Sequence, residues 1–307
     1  MADLNGDGRT DMISGSYWPG DISAFLRNAD GTFAAGVFLQ DPDGKNANAG
    51  PPWQSEQKPE MDSLAAAPWL IDWDADGDLD LLVGNIAGRV VRLENTGDAR
   101  TPRFVRRGPI EAGGTVLSVD DNDAGPTTAD WDGDGRWDLI VGGGAGTVAW
   151  FRNEGTAAAP KFAAAVELVQ GRGHGDDESA VPTGPTHRCK PHVCDWNGDG
   201  RLDLLVGDFR SYAGPEPALT DEQKARRKQL EAEQAANMAA ITAVFEQCDD
   251  PDTLTGEAKQ KFEALQARSQ ELWEQLRPLQ PESKTGGHVW VFLRRAAADA
   301  AARQDAR

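Results

Sequence analysis

The chain has 307 residues and a net charge of −19, from 50 Asp and Glu against 31 Lys and Arg. That acidity argues against a binder of nucleic-acid phosphates, which needs a basic face. With 39% apolar residues the chain can fill a core, so wholesale disorder is excluded, and there is no apolar run long enough to span a membrane.

Three cysteines, Cys189, Cys194 and Cys248, are too few for a disulfide scaffold. Met1 leads directly into a polar, acidic segment, so no signal peptide is visible in this chain. The acid is periodic. Four segments align: Asp3-Leu-Asn-Gly-Asp-Gly-Arg-Thr-Asp11, Asp72-Trp-Asp-Ala-Asp-Gly-Asp-Leu-Asp80, Asp130-Trp-Asp-Gly-Asp-Gly-Arg-Trp-Asp138 and Asp195-Trp-Asn-Gly-Asp-Gly-Arg-Leu-Asp203. Each reads D-x-[DN]-x-D-G-x-x-D, with starts 69, 58 and 65 residues apart.

Oxygens at positions 1, 3 and 5 of a tight loop converge on one hard cation, and Gly at position 6 permits the sharp turn. Position 7 offers a backbone carbonyl, here from Arg9, Asp78, Arg136 and Arg201. Position 9 returns a carboxylate. An all-oxygen set favours Ca²⁺ over Zn²⁺. The competing reading is a set of Asx turns without metal, but uncompensated carboxylates this close repel. An EF-hand is rejected. Its position 12 needs Glu, whereas this chain has Ser14, Val83, Val141 and Val206. After the second, third and fourth loops comes a short apolar run ending in Gly, which reads as a buried strand.

The repeat continues beyond the loop. A strand is expected over Ile22–Leu26, Arg89–Leu93 and Thr147–Phe151, ending at Asn28, Asn95 and Asn153, then a turn and Phe33, Phe104 or Phe162. A Pro-containing segment precedes the second, third and fourth loops. One unit is therefore strand, metal loop, and three further strands, which is a propeller blade.

These residues resemble the FG-GAP/VCBS repeat family, the calcium-binding blades of integrin-α-like β-propellers, over roughly residues 1–218 and 285–295. The resemblance implies an all-β fold: a β-propeller of four visible four-stranded blades, with the metal in the loop between the first two strands of each. The implied ligands are Asp3, Asn5, Asp7, Asp11; Asp72, Asp74, Asp76, Asp80; Asp130, Asp132, Asp134, Asp138; and Asp195, Asn197, Asp199, Asp203. It also implies metal loops on one face and partner-binding loops on the other.

The fourth repeat is interrupted. Its third strand, expected near residue 218, comes only at His288-Val-Trp-Val-Phe-Leu293. Between them the composition shifts to Ala, Glu, Gln and Lys, and an antiparallel helical hairpin is expected over 219–281. Thr220 and Gln223 have capping-box spacing. Leu230, Met238, Ile241, Phe245 and Cys248 form one stripe; Phe262, Leu265, Ser269, Leu272, Leu276 and Leu279 form a heptad-like seam. The organisation expected is blades over 1–218, hairpin over 219–281, a returning strand over 282–295 and an Ala-rich tail over 296–307. The first blade lacks room for its first strand and the fourth for its last, which reads as part of a longer surface protein.

Other chemistry is less well supported. His187, Cys189, His192 and Cys194 alternate along an expected strand, so a transition-metal site and a Cys189–Cys194 disulfide are both disfavoured. His174 lies in a Gly-rich connector without the features of a phosphate loop. Trp73, Trp131 and Trp196 each follow the first metal Asp and read as blade-packing residues. Tyr17 and Trp18, in a turn between the second and third strands, are the candidate ligand contacts.

The reading is a secreted or cell-surface calcium-binding propeller, with about four Ca²⁺ sites, acting as a protein- or glycan-binding and adhesion module. The alternative is the propeller of a secreted polysaccharide- or ester-cleaving enzyme, its active site opposite the calcium loops. Four Ca²⁺ would bring the charge from −19 to −11 (−19 + 8).

Overall fold

The computed structural model describes residues 2–50, 61–171, 183–245 and 255–295. His174, Cys248 and the tail expected over 296–307 lie outside them. The chain divides into two compact units, Met1–Arg210 with Gly286–Arg307, and Ser211–Thr285.

The first unit is a propeller-like array of antiparallel blades. Blade 1 contains β1 (Met12–Gly15), β2 (Ile22–Phe25) and β3 (Val37–Phe38). Its first strand is reduced to a single bridge, Ala2 to Asp11. Blade 2 contains β4 (Ala67–Ile71), β5 (Asp80–Gly84), β6 (Val90–Asn95) and β7 (Phe104–Pro109), paired in that order. A small hairpin of β8 (Glu111–Ala112) and β9 (Thr115–Val116) comes next. Blade 3 repeats the order with β10 (Gly125–Ala129), β11 (Asp138–Gly142), β12 (Val148–Phe151) and β13 (Val166–Val169). Blade 4 has β14 (His187–Cys194) and β15 (Asp203–Ala213); its third strand, β17 (Val289–Phe292), pairs with β15. A short β16 (Ser283–Gly286) extends the same sheet.

The repeat is visible in the register. Leu81 faces Leu93, Leu139 faces Phe151, Leu204 faces Phe292 and Met12 faces Phe25. By this register the position of Asn95 and Asn153 falls to Arg27 in blade 1, not to Asn28 as the sequence suggested. Asn28 lies one residue further, in the turn, where its N–H donates to Thr32 O at 2.8 Å. The Asn in the first repeat is a near miss in sequence spacing, and strand pairing decides the equivalence.

Each of the first three blades packs the front of its sheet on the back of the next. Between blades 1 and 2, Leu4, Ile22 and Ala24 meet Leu81, Val83, Val91 and Leu93. Ile71, Trp73, Leu82 and Val90 meet Leu139, Val141 and Phe151 between blades 2 and 3. Ile140 and Val148 meet Leu204 and Val206 between blades 3 and 4. The second strands of blades 2 and 3 supply continuous apolar runs because both faces of a middle blade are covered. The packed pairs run β1 to β4, β4 to β10 and β10 to β14; among the described residues no comparable packing joins β14 to β1. Trp69 of β4 donates its indole N–H to Thr128 of β10 at 2.9 Å and meets the ring of His192 on β14, so first strands line the axis of the array.

The second unit holds two helices, α1 (Asp221–Phe245) and α2 (Gly256–Leu276). The capping box forms: the Gln223 N–H donates to Thr220 Oγ1 at 3.2 Å and the Thr220 N–H to Gln223 Oε1 at 2.9 Å. The buried seam of α1 is Leu230, Asn237 and Val244, seven residues apart. Met238, expected in the stripe, is exposed. A polar Asn holds the seam because its amide reaches Leu265 O at 3.0 Å and Ser269 Oγ at 2.7 Å on α2. Leu272 and Leu276 of α2, with Leu279 in the turn that follows, pack with Leu230. Among the described residues no helix is long and apolar enough to cross a membrane.

Candidate metal centres

All four acidic loops have one architecture. The position-1 carboxylate winds the loop: Asp3, Asp72, Asp130 and Asp195 accept the N–H of Gly8, Gly77, Gly135 and Gly200 at 2.8, 3.2, 3.0 and 2.9 Å. The position-5 carboxylate holds the next turn: Asp7, Asp76, Asp134 and Asp199 accept the N–H two residues on, each at 3.0 Å. Position 6 is Gly at φ 83°, 95°, 85° and 82°. Position 4 is left-handed as well, with Gly6, Gly133 and Gly198 at φ 69°, 78° and 73° and Ala75 at φ 62°. The sequence reading missed this second turn, although the Gly at three of four copies signalled it.

Two loops gather three carboxylates. One oxygen each from Asp72, Asp74 and Asp76 lie within 4.8 Å of one another, and so do those of Asp130, Asp132 and Asp134. Within each triad one carboxylate oxygen, Asp72 Oδ1 and Asp130 Oδ1, is buried with no hydrogen-bond partner. A buried acceptor left unmade costs about 1–3 kcal/mol, more when charged. A hard divalent cation satisfies that oxygen and neutralises the triad, so these residues fit Ca²⁺. In the first and fourth loops Asn5 and Asn197 stand at position 3, so each has two carboxylates there and an amide carbonyl. Asn5 and Asn197 accept the N–H of Asp7 and Asp199 at 3.1 and 2.9 Å.

The ninth-position carboxylates have a structural task that the sequence did not disclose. Asp11, Asp80, Asp138 and Asp203 are fully buried. One oxygen of each accepts the backbone N–H at the end of the third strand: Arg27 at 2.8 Å, Asn95 at 2.6 Å, Asn153 at 2.7 Å and Arg294 at 2.8 Å. The other oxygen accepts the position-2 N–H of Leu4, Trp131 and Trp196 at 2.9, 3.2 and 3.1 Å. These residues therefore bolt the loop to the blade, and only their remaining lone pairs are available to a cation. Burial pushes Asp80 up to about 6, against the hydrogen bonds from Asn95 and Arg92 that pull it down. Burial, then the charges of Asp76, Asp74 and Asp72, raises Asp78.

Arginines compensate the acid. Arg9, Arg136 and Arg201, at position 7, each turn back onto the position-5 Asp of their own loop. Their Nε atoms donate to the carbonyls of Arg27, Asn153 and Arg294 at 2.7, 3.0 and 3.3 Å. The second loop has Asp78 at that position. There Arg92, from β6, reaches Asp74 at 3.0 Å and Asp80 at 3.1 Å and lies over the Trp73 ring. Arg152 does the same for Asp132 and Asp134 in the third loop. Arg92 also lines a cleft of about 320 Å³ with Trp73, Arg107, Ile110, Lys161 and Phe162.

The remaining candidates separate. Tyr17 and Trp18 are both exposed. Trp73 is buried against Trp137 and Phe162, and Trp131 packs at the next interface under Arg294, but Trp196 is exposed. Packing is thus the role of the first two and not of the third. Cys189 is buried, Cys194 is half-buried, and both are free thiols.

Residues 72–141 and 130–206 match the model of the FG-GAP-like repeat. No curated protein matches the chain. The matched stretch contains the second, third and fourth acidic loops and the strands that follow the second and third. Over residues 72–206 the chain carries FG-GAP-like repeats.

Proposed function

We propose that the chain is a calcium-stabilised extracellular module that works by binding. The observation that carries this reading is the pair of carboxylate triads, Asp72-Asp74-Asp76 and Asp130-Asp132-Asp134, each with an unpartnered buried oxygen. The cation would be held by these residues and the carbonyls of Asp78 and Arg136, with Asp80 and Asp138 lending their free lone pairs. Asp3, Asn5, Asp7, Asp11 with the Arg9 carbonyl, and Asp195, Asn197, Asp199, Asp203 with the Arg201 carbonyl, would form two weaker sites. The ion supplies charge neutralisation and loop rigidity. FG-GAP repeats occur in extracellular adhesion and binding modules, which supports the same assignment.

The location follows from mass action. Extracellular calcium modules bind at about 10⁻⁴–10⁻³ M. At ~1 mM free Ca²⁺ and a Kd of ~10⁻⁴ M each site adds about 1.4 kcal/mol, and a domain holds only ~5–15 kcal/mol in all. In a calcium-poor compartment that support is lost. A protein or glycan ligand would meet the face opposite the metal loops, where Tyr17 and Trp18 offer exposed aromatic surface. The test is thermal unfolding with Ca²⁺, with Mg²⁺ and with EGTA. A rise in Tm specific to Ca²⁺ is expected; identical melting in all three overturns the assignment.

A further inference from the structure

The front of blade 4 is built like the front of the other blades, yet among the described residues nothing covers it. At loop position 2, Leu4 is 4% exposed and Trp73 9%, both sealed under the next blade, whereas Trp196 is 59% exposed. The first front-facing residue of the third strand repeats the contrast. Ile22, Val90 and Val148, paired with Gly15, Gly84 and Gly142, are 0% exposed. Val289, paired with Gly207, is 68% exposed, and Val291 on the same side is 40% exposed. Three copies of the third-strand position are core, whereas blade 4 presents Val289, Val291 and Trp196 to solvent. Contiguous exposed apolar surface of this kind marks an interface.

The front of blades 1, 2 and 3 is covered in each case by the back of another blade. Among the described residues one back is left uncovered, that of blade 1. There Met12 and Phe25, equivalent to the buried pairs Leu81–Leu93 and Leu139–Phe151, are half-buried. Phe38, which faces Ser23 on the same side, is 55% exposed. Ser14 and Ser23 replace the Val83 and Val91 of blade 2, so this back is less apolar than the others. Among the described residues no packing like that between the other blades joins β14 to β1, so neither face covers the other there.

We propose that these two faces form the interface with a second copy of the chain, the front of blade 4 in each copy seated on the back of blade 1 in the other. The arrangement uses the front-to-back packing already present three times within the chain. A two-fold axis relates the copies, and both contacts are used in a closed dimer, so no open-ended fibre results. The inference does not depend on the cation reading.

Light scattering on the size-separated protein tests it. The expected result is a species of twice the monomer mass that gains population with concentration. Val289→Lys and Phe38→Lys, on the two opposite faces, should each halve the mass while leaving the far-UV circular dichroism unchanged. Both positions are exposed within the monomer, and each variant carries the test if the other misfolds. A wild-type protein that stays monomeric at every concentration overturns the proposal. So does a dimer that survives both substitutions, or growth of open-ended polymers in place of a dimer.

Discussion

Asp203 accepts the backbone N–H of Arg294 at 2.8 Å although 91 positions separate the two residues. Asp11, Asp80 and Asp138 make the same bond across 15 or 16 residues. The fourth blade is thus completed by chain that returns after the helical insertion, and this buried carboxylate fixes where it returns. Asp203→Ala removes the acceptor from Arg294 and from Trp196 together. A loss of about 2 kcal/mol is expected, from two part-buried donors left unmade at ~1 kcal/mol each, the low end of the range because water reaches them. Urea unfolding in EGTA measures it without any metal contribution; a loss under ~0.5 kcal/mol, the level of an ordinary surface change, contradicts the bolt.

Arg92 stands where a cation would compete with it. It is paired with Asp74, Asp80 and, at 3.8 Å, Glu94. Arg92→Gln leaves the triad of the second loop without its countercharge. The metal-free protein should lose roughly 1–3 kcal/mol, while the calcium-loaded protein changes less, because Ca²⁺ neutralises the same carboxylates. The Ca²⁺-induced rise in Tm therefore grows. Equal destabilisation with and without Ca²⁺ would separate Arg92 from the cation site.

Ala75 holds a left-handed conformation, φ 62°, that the three sister loops give to Gly. An L-residue there costs roughly 1–2 kcal/mol, and Gly returns part of the gain through its greater unfolded-chain entropy, about 0.5–1 kcal/mol. Ala75→Gly should raise stability by up to about 1 kcal/mol, measured by thermal unfolding. A destabilised variant would show that the methyl group makes a favourable contact outweighing the strain.

Burial, reinforced by the Asp208 charge, pushes the Cys189 thiol up to about 12 from an ordinary 9.0. The unfolded chain then loses this proton first, so stability falls as pH rises from about 9 towards 12 and is unaffected by this group below 9. In a Cys194→Ser, Cys248→Ser background, Cys189 should resist a thiol reagent at pH 8 until denaturant is added. Labelling of the native protein at the rate of a free thiol counts against the buried assignment.

Much of the fold was legible because the acidic loops punctuate it. The aspartates, the Gly-terminated apolar runs and the Pro-led first strands fix blade boundaries before any coordinate is known. The sequence hides how single residues divide their work. Asp138 and Asp132 look alike in the motif, yet Asp138 is bonded to Asn153 and Trp131, whereas Asp132 is a member of the triad. The compensating Arg92 belongs to no motif, since it arrives from the neighbouring strand. Trp196 has the same sequence position as Trp73, yet one is exposed and the other is packed under the next blade, a difference the motif does not carry. The α1 stripe failed because hydrophobicity picked Met238 when the seam runs through its polar neighbour Asn237.

Asn237 has a physical reason to stay polar. Its amide donates to Leu265 O and Ser269 Oγ, which pins α1 to one axial setting on α2. A buried Asn in a helical seam commonly trades stability for register. Asn237→Leu removes the two bonds and adds apolar surface, while Ser269 Oγ and Leu265 O lose a donor. The net change in stability is expected to be small, within about 1.5 kcal/mol of zero, because the lost hydrogen bonds, ~0.5–1.5 kcal/mol each, oppose the gain of about 1.5–3 kcal/mol from burying a Leu side chain. The loss is in uniqueness. Hydrogen exchange at the α1 amides should speed up, as the helix samples settings shifted along the seam. Unchanged exchange in the Leu variant, with stability raised, would show that Leu230, Val244 and Leu272 set the register without the amide.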